Sequence, residues 1–295
     1  MTGLAAGWVP DGAWLAPGYA EWPAPLALRD AVACLWTSVV PGDGTGESLV
    51  LPDGCSDLIW EQGTGAYVAG PDTAAVRTTS RPGTVFVGVR FRPASGGPVL
   101  GVPLSELRDQ RVDVTDVLSA AGGTAGTLAV RRALAGLAGD SAPGEAAMVV
   151  LELAGRLIVE QRADPAVERA AVLLGDSRTR AESIAAQAGL SERQFRRRFH
   201  AAAGYGPKTL QRVLRFQRFV QRVDAASGPL DLGAVAAEAG YADQAHLTRE
   251  CKALSGMTPA TLSRARGGRV VLPAQPASGG SPIIAVPTTR NPSLT

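Results

Sequence analysis

A chain of 295 residues, with 29 Lys/Arg against 27 Asp/Glu and a formal charge of +2, is long enough for about two domains, each with its own core. The two histidines, His200 and His246, and the scattered cysteines Cys34, Cys55 and Cys251 form no C-x-x-C pair. No His/Cys metal centre, disulfide framework or cofactor is therefore expected. The N-terminus has no basic n-region followed by an apolar stretch, and the most apolar run, residues 146–159, is broken by Glu152 and Arg156. It falls short of the ~20 apolar residues of a membrane span, so the expectation is a soluble cytoplasmic protein with no membrane partner.

Charge is unevenly distributed. Residues 164–266 carry 16 Lys/Arg and 10 Asp/Glu, whereas the rest carries 13 and 17. A basic third on an acidic remainder points to a polyanion-binding segment.

Residues 1–112 are rich in Gly, Pro and short β-like runs. Leu49–Leu51, Pro52-Asp53-Gly54 and Ser56–Trp60 read as strand, turn and strand, a β-hairpin. Thr84–Arg92 alternates Val85, Val87, Val89 and Phe91 with small or charged residues, Phe86 excepted, and gives the clearest strand. From about Leu104 the spacing turns helical, with Leu128–Leu137 and Glu145–Gln161 as connecting helices across residues 113–163. Residues 267–295 are dense in Pro, Gly, Ser and Thr, which predicts a disordered tail.

Residues 164–266 contain an internal repeat. Ile184-Ala185-x-x-x-Gly189-Leu190 returns 51 residues later as Val235-Ala236-x-x-x-Gly240-Tyr241. After a one-residue slip, Phe195, Phe199, Gly204, Pro207 and Leu210 return as Leu247, Cys251, Gly256, Pro259 and Leu262. Each copy reads as helix, glycine-containing turn and helix, the pattern of a helix-turn-helix. Thr179-x-x-Glu182 and Ser191-x-x-Gln194 have the form of capping boxes. At about 100° per residue, Phe199 and Ala202 fall within about 40° of Phe195, which defines a buried stripe. Arg193, Arg197 and His200 lie opposite, with Arg196 on the flank. In the second copy Leu247, Cys251 and Leu254 form the stripe and Ala245, Arg249 and Lys252 oppose it, while Gln244 sits in the first turn, where a helix entering a groove first meets base edges.

Between the copies, Gly206-Pro207 opens a helix expected to run to about Val223, and no acidic residue occurs from Arg193 to Val223. Its length of about 26–30 Å is close to the ~34 Å turn of B-DNA. One chain is thus expected to carry two reading helices for adjacent major grooves of double-stranded DNA.

Residues 164–266 resemble the DNA-binding domain of the AraC/XylS family of bacterial transcription regulators. The run Gly240-Tyr241-Ala242-Asp243-Gln244-Ala245-His246-Leu247-Thr248-Arg249, followed by Gly256-Met257-Thr258-Pro259, is similar to that family's most diagnostic segment. Residues 8–110 resemble, more loosely, an uncharacterised domain of some such regulators through Leu51-Pro52-Asp53-Gly54-Cys55-Ser56-Asp57-Leu58-Ile59 and Gly88-Val89-Arg90-Phe91-Arg92-Pro93. The resemblance implies base reading by Arg193, Arg196, Arg197, Gln244 and Arg249. Ala245, Cys251 and Leu262 depart from the polar residue, Phe and aromatic residue that the family tends to carry there. Arg198, Lys208, Arg212, His246 and Lys252 are the candidates for phosphate contact, which positions a protein without reading sequence. In the family the N-terminal domain is usually a small ligand-sensing β-barrel. Trp36, Cys55, Asp57, Trp60 and Arg90 are accordingly the candidates for an effector pocket, against the alternative of a packed β core with polar turns. A small-molecule effector, RNA polymerase and a second copy in a homodimer are the further partners the resemblance suggests.

The expected organisation is a β-rich, barrel-like sensor domain over 1–112, a helical connector over 113–163, an all-α domain over 164–266 with two helix-turn-helix motifs joined by a linker helix, and the tail. The expected function is sequence-specific regulation of transcription, not catalysis. The alternatives are an enzyme or a ligand-binding module whose C-terminal helices serve only protein interaction. Residues 1–162 offer an enzyme no histidine, no G-x-S-x-G and no phosphate-binding glycine loop, only carboxylates such as Asp53, Asp57 and Glu61.

Overall fold

The computed structural model describes residues 17–42, 46–121, 141–160, 164–175, 181–187, 189–226 and 228–267. The N-terminal part is built on an antiparallel six-stranded sheet. In chain order its strands are β1 (Gly18–Pro23), β2 (Val32–Val39), β4 (Ser56–Glu61), β5 (Gly65–Ala69), β7 (Val85–Phe91) and β8 (Arg111–Asp113), arranged β1-β2-β7-β4-β5-β8. Among the described residues β1 and β8 are the edges of the sheet and do not pair with each other, so the sheet is open and the expected barrel closure is not formed. β3 (Glu47–Val50) and β6 (Val76–Thr79) make a separate two-stranded ribbon.

The expected hairpin between Leu49 and Trp60 is therefore corrected. β3 pairs with β6, whereas β4 pairs with β5 and β7. The turn itself is present: Gly54 has φ +85 and the Asp53 carboxylate accepts from the Cys55 N–H at 2.8 Å. The chain uses it to leave the ribbon for the sheet rather than to fold back on one partner.

Period-2 alternation sorts each strand between two faces. Val85, Val87, Val89 and Phe91 of β7, with Leu58 and Trp60 of β4, enter the main core. Gly88, Arg90, Asp57 and Ile59 alternate with them and belong to the opposite face, where Cys34, Trp36, Ile59 and Ala69 form a smaller cluster. A register shift between Val32 and Cys34 keeps Val32 and Leu35 on the main-core face despite their odd spacing.

Short helices α1 (Gly96–Leu100), α2 (Leu104–Leu107) and α3 (Val114–Ala120) follow, then α4 (Pro143–Glu160). The apolar stripe of α4, Ala146, Val150, Leu153, Ala154 and Leu157, has helix spacing and packs on the sheet in the main core. Its outer face carries an Arg156–Glu152 pair at 2.6 Å. The segment read as a connector thus supplies a layer of the sheet domain. Residues 128–137 and the tail beyond 267 lie outside the described residues.

The C-terminal part comprises α5 (Pro165–Leu173), α6 (Ala181–Gln187), α7 (Glu192–Ala203), α8 (Pro207–Ala225), α9 (Leu232–Ala239), α10 (Gln244–Ser255) and α11 (Pro259–Ala265). Two cores hold it together. Val167, Ile184, Phe195, Phe199 and Leu210 meet in the first; Val213, Phe216, Val235, Leu247, Cys251 and Leu262 meet in the second. α8 feeds both, Leu210 on one side and Val213 onward on the other, so it is the shared wall of the two motifs. Burial of each large side chain here stabilises the fold by roughly 1.5–3 kcal/mol.

Candidate nucleic-acid interface

The first exposed helix, α7, is fixed at both ends by its sequence. Ser191 and Gln194 close a reciprocal capping box, the Gln194 N–H donating to Ser191 Oγ at 3.3 Å and the Ser191 N–H to Gln194 Oε1 at 3.1 Å. The helix stops at Gly204, whose φ of +81 is the left-handed conformation that favours glycine. Phe195 and Phe199, with ring centroids 5.6 Å apart, anchor one face. Arg193, Arg196 and Arg197 are all exposed on the other. With Glu192 and His200 they line an open surface hollow of about 550 Å³.

The second exposed helix, α10, repeats this construction with different caps. Asp243 accepts from the His246 N–H at 2.6 Å, and Gly256 ends the helix at φ +73. Gln244, Ala245, Arg249 and Lys252 are exposed, while Leu247, Cys251 and Leu254 are buried. The structure thus presents all five residues predicted to read bases at the surface of two helices.

The residues predicted to touch phosphate divide into two groups. Lys208 and Lys252 are exposed. Arg198 already meets Asp164 at 3.3 Å, and Arg212 and His246 meet Glu250 at 3.2 and 3.4 Å. Glu250, which sequence reasoning missed, is the hub that gathers Arg212 and His246. Its side chain is only 10% exposed and also lies 3.5 Å from Arg215. Arg215 in turn stacks its guanidinium over the Tyr241 ring at 5.3 Å and donates to the Gly240 carbonyl at 3.4 Å. Arg218 donates to the Ala239 carbonyl at 3.0 Å. The basic face of α8 thereby fastens α9 and α10 to the shared wall. A helical projection held the signal, since position 250 lies about 60° from Leu247, at the margin of the buried stripe.

On the sheet domain, four of the five effector-pocket candidates share the face opposite the main core. Arg90 lies 3.1 Å from Asp57, 3.4 Å from Asp53 and 3.3 Å from Glu21, with its guanidinium 6.0 Å from the Trp36 ring. Trp36 donates its indole N–H to Asp57 at 2.6 Å and lies against Gly88, where a β-carbon would collide with its ring. Burial pushes the Asp57 carboxyl above its ordinary range against the pull of Arg90. Burial also works against the Arg90 charge, but Asp57 and Asp53 outweigh it and hold the guanidinium protonated. Cys55 flanks this cluster, its thiol pushed well up by burial. Trp60 is not brought to the group: alternation along β4 sends it, fully buried, into the main core. All three cysteines are free thiols. Among the described residues no group of His, Cys, Asp and Glu is arranged to hold a metal ion, and no helix is long and apolar enough to cross a membrane.

Residues 184–265 match a family described as a helix-turn-helix domain. This part of the chain is an AraC-type helix-turn-helix domain. Such domains serve DNA-binding transcription regulation, and α7 and α10 are the second helices of the two motifs. Residues 20–113 match a domain of unknown function, DUF6597. No curated protein matches the chain. Solved structures with some likeness include the C-terminal domain of AraT, a response regulator from Geobacillus stearothermophilus, at 20% identity over 40% of this chain and 97% of that one, TM-score 0.33. ToxT from Vibrio cholerae O395 is 9% identical over 78% of this chain and 97% of its own, TM-score 0.39. ToxT with bound unsaturated fatty acid, from strain SCE256, is 9% identical over 74% and 93%, TM-score 0.37. TM-scores this low carry neither fold nor function to the present chain.

Proposed function

We propose that the AraC-type domain reads duplex DNA in two successive major grooves, one through α7 and one through α10, and that the sheet domain modulates this binding. The observation that carries the reading is the exposure of Arg193 and Arg197 opposite the Phe195/Phe199 anchor and of Arg196 on its flank, with Gln244 and Arg249 exposed on the matching helix. Arginine pairs bidentately with guanine and glutamine with adenine, each good pair giving ~1–3 kcal/mol of discrimination. The 19-residue helix α8 spans about 28 Å, which suits recognition helices one helical turn of DNA apart.

Lys208 and Lys252 are assigned to phosphate. Arg198, Arg212 and His246 reach phosphate by sharing or leaving the carboxylates of Asp164 and Glu250. A small-molecule effector is assigned to the Trp36, Asp57 and Arg90 face, where the sheet domain gathers charge and aromatic surface. The test of the reading compares Arg197→Ala with Lys208→Ala in binding titrations against an operator and its single-base variants. Arg197→Ala flattens discrimination at one base position, whereas Lys208→Ala weakens all sequences alike and lowers the salt slope by about one. Identical profiles for the two variants contradict it.

A further inference from the structure

The sheet domain rests on the helix-turn-helix domain at places the DNA-binding reading does not use. α1 and α2 pack against α7, and the approach is close. A β-carbon on Gly97 would sit 2.9 Å from the Ala201 carbonyl oxygen. The loop between β5 and β6 goes further, because it touches the C-terminal ends of both exposed helices. At α7, a β-carbon on Gly204 would sit 2.5 Å from Pro71 Cγ. At α10, the Ala75 N–H donates to the Leu254 carbonyl at 2.7 Å. That carbonyl belongs to the last turn of α10, where intrahelical donors run out, so the loop completes the helix end.

The loop is itself held firmly. Asp72 and Arg111 form a two-pronged pair at 2.9 and 2.7 Å. The Thr73 N–H and hydroxyl donate to the Asp109 carboxylate at 2.6 and 2.9 Å. Asp109 meets them from a left-handed backbone, φ +59, and donates its own N–H to the Pro71 carbonyl at 3.3 Å. Pro71, Asp72 and Thr73 are thus pinned to the rim of the sheet beside the two contacts with the helices. A second tie runs parallel to it: Gln217 of α8 donates to the Pro52 carbonyl at 2.7 Å, and Leu49 and Leu51 pack on the second helix-turn-helix core.

From this geometry we infer that the sheet domain is a brace that sets the distance and phase between the two recognition helices, and hence the spacing of the two halves of the operator. The inference rests on the two-groove reading. Without the brace, α7 and α10 are connected, among the described residues, through α8 and its packing. The Pro71–Ala75 loop closes a second path between them, so neither helix can turn without breaking a contact at its C-terminal end. Both contacts lie away from the N-terminal turns that face bases, so the braced form is free to bind DNA. Thr73 and Asp109 are positioning residues: they act through the loop and touch no base.

The test uses the full chain and a two-part operator selected by the wild type, with one or two base pairs inserted between its halves. Each inserted pair turns the second half by about 35° and moves it about 3.4 Å. Asp109→Gly removes the carboxylate and accepts the left-handed backbone; Ala75→Pro removes the donor to Leu254. Asp109→Asn keeps an acceptor for Thr73 and also tolerates that backbone. For the wild type and Asp109→Asn, one inserted pair weakens binding about 100-fold. For Asp109→Gly and Ala75→Pro the penalty falls to about tenfold or less, while the parent operator is bound within about fivefold of wild type, the loss due to preorganisation. An unchanged insertion penalty in both variants, beside an intact two-part site, overturns the brace alone. A wild type that selects a one-part site overturns the brace and the two-groove reading together.

Discussion

Glu250 offers a quantitative test of how the second recognition helix is held. Its carboxylate is 10% exposed and faces Arg212, Arg215 and His246 at 3.2, 3.5 and 3.4 Å. Removing one partner of a buried ion pair costs about 3–5 kcal/mol when the abandoned charge stays buried. Here Arg212 is 43% exposed and His246 28%, so water takes over much of their solvation. Only Arg215, 19% exposed, is left in a poorly hydrated place, and it keeps the Tyr241 ring and the Gly240 carbonyl. Glu250→Gln, which conserves shape, should therefore cost about 2 kcal/mol, below the usual range for a buried pair. In urea this is roughly a 1 M fall in the midpoint of the helix-turn-helix transition, for a slope of about 2 kcal/mol/M. In DNA binding the variant should lose discrimination in the half of the operator read by α10 and retain it in the half read by α7. A midpoint shift equivalent to less than about 0.5 kcal/mol, the range of an ordinary surface substitution, with both halves read normally, would refute the reasoning.

Tyr205 is buried, and among the described residues its hydroxyl has no hydrogen-bond partner. Tyr205→Phe should leave the urea midpoint unchanged or raise it by up to about 1 kcal/mol equivalent, since no bond is lost and a dry hydroxyl is relieved; a clear loss would mean the hydroxyl is satisfied. Gly88→Ala places a β-carbon inside the Trp36 ring, so it should destabilise the sheet domain by about 1–3 kcal/mol and shift tryptophan emission; an unchanged melt and spectrum would contradict the described packing. Burial pushes the thiols of Cys34 and Cys251 up to about 12 and about 11. At pH 8 neither should react with a disulfide reagent until the chain is unfolded. Unfolded thiols titrate near 8.5, so both states bind the proton below that pH. Above it the unfolded state releases the proton first, and stability should fall by about 1.4 kcal/mol per pH unit for each thiol. Rapid native modification, or stability rising from pH 8 to 9.5, would be inconsistent with burial.

The helix-turn-helix repeat was legible because its signals are local. Ser191 and Gln194 write one helix start, Gly204 and Gly256 write two ends, and the Phe195/Phe199 and Leu247/Cys251 stripes give the buried faces by angle alone. Thr84–Arg92 was legible as a strand for the same reason, since alternation broken only at Phe86 leaves little choice of conformation. Pairing is a different matter. The Pro52–Gly54 turn looks the same whether the chain folds back or passes to another sheet, and only the long-range match of β3 with β6 decides it. Trp60 was grouped with Asp57 and Trp36 by kind, although its parity along β4 places it on the other face. Glu250 was missed because its partners Arg212 and Arg215 lie on a different helix, 38 and 35 positions back, and read as a solvated basic face when taken alone. The brace was invisible for a related reason. The link between Ala75 and Leu254 joins backbone groups, which any residue supplies.

The most direct test of the account is selection of bound fragments from random duplex DNA with the full chain, at two salt concentrations, alongside Arg197→Ala. The account predicts an enriched two-part motif with centres about one helical turn apart, binding that weakens steeply with salt, and one half of the motif blurred by the substitution. Absence of any enriched sequence, with only weak salt-sensitive binding that Arg197→Ala leaves unchanged, would contradict sequence-specific recognition by these two helices.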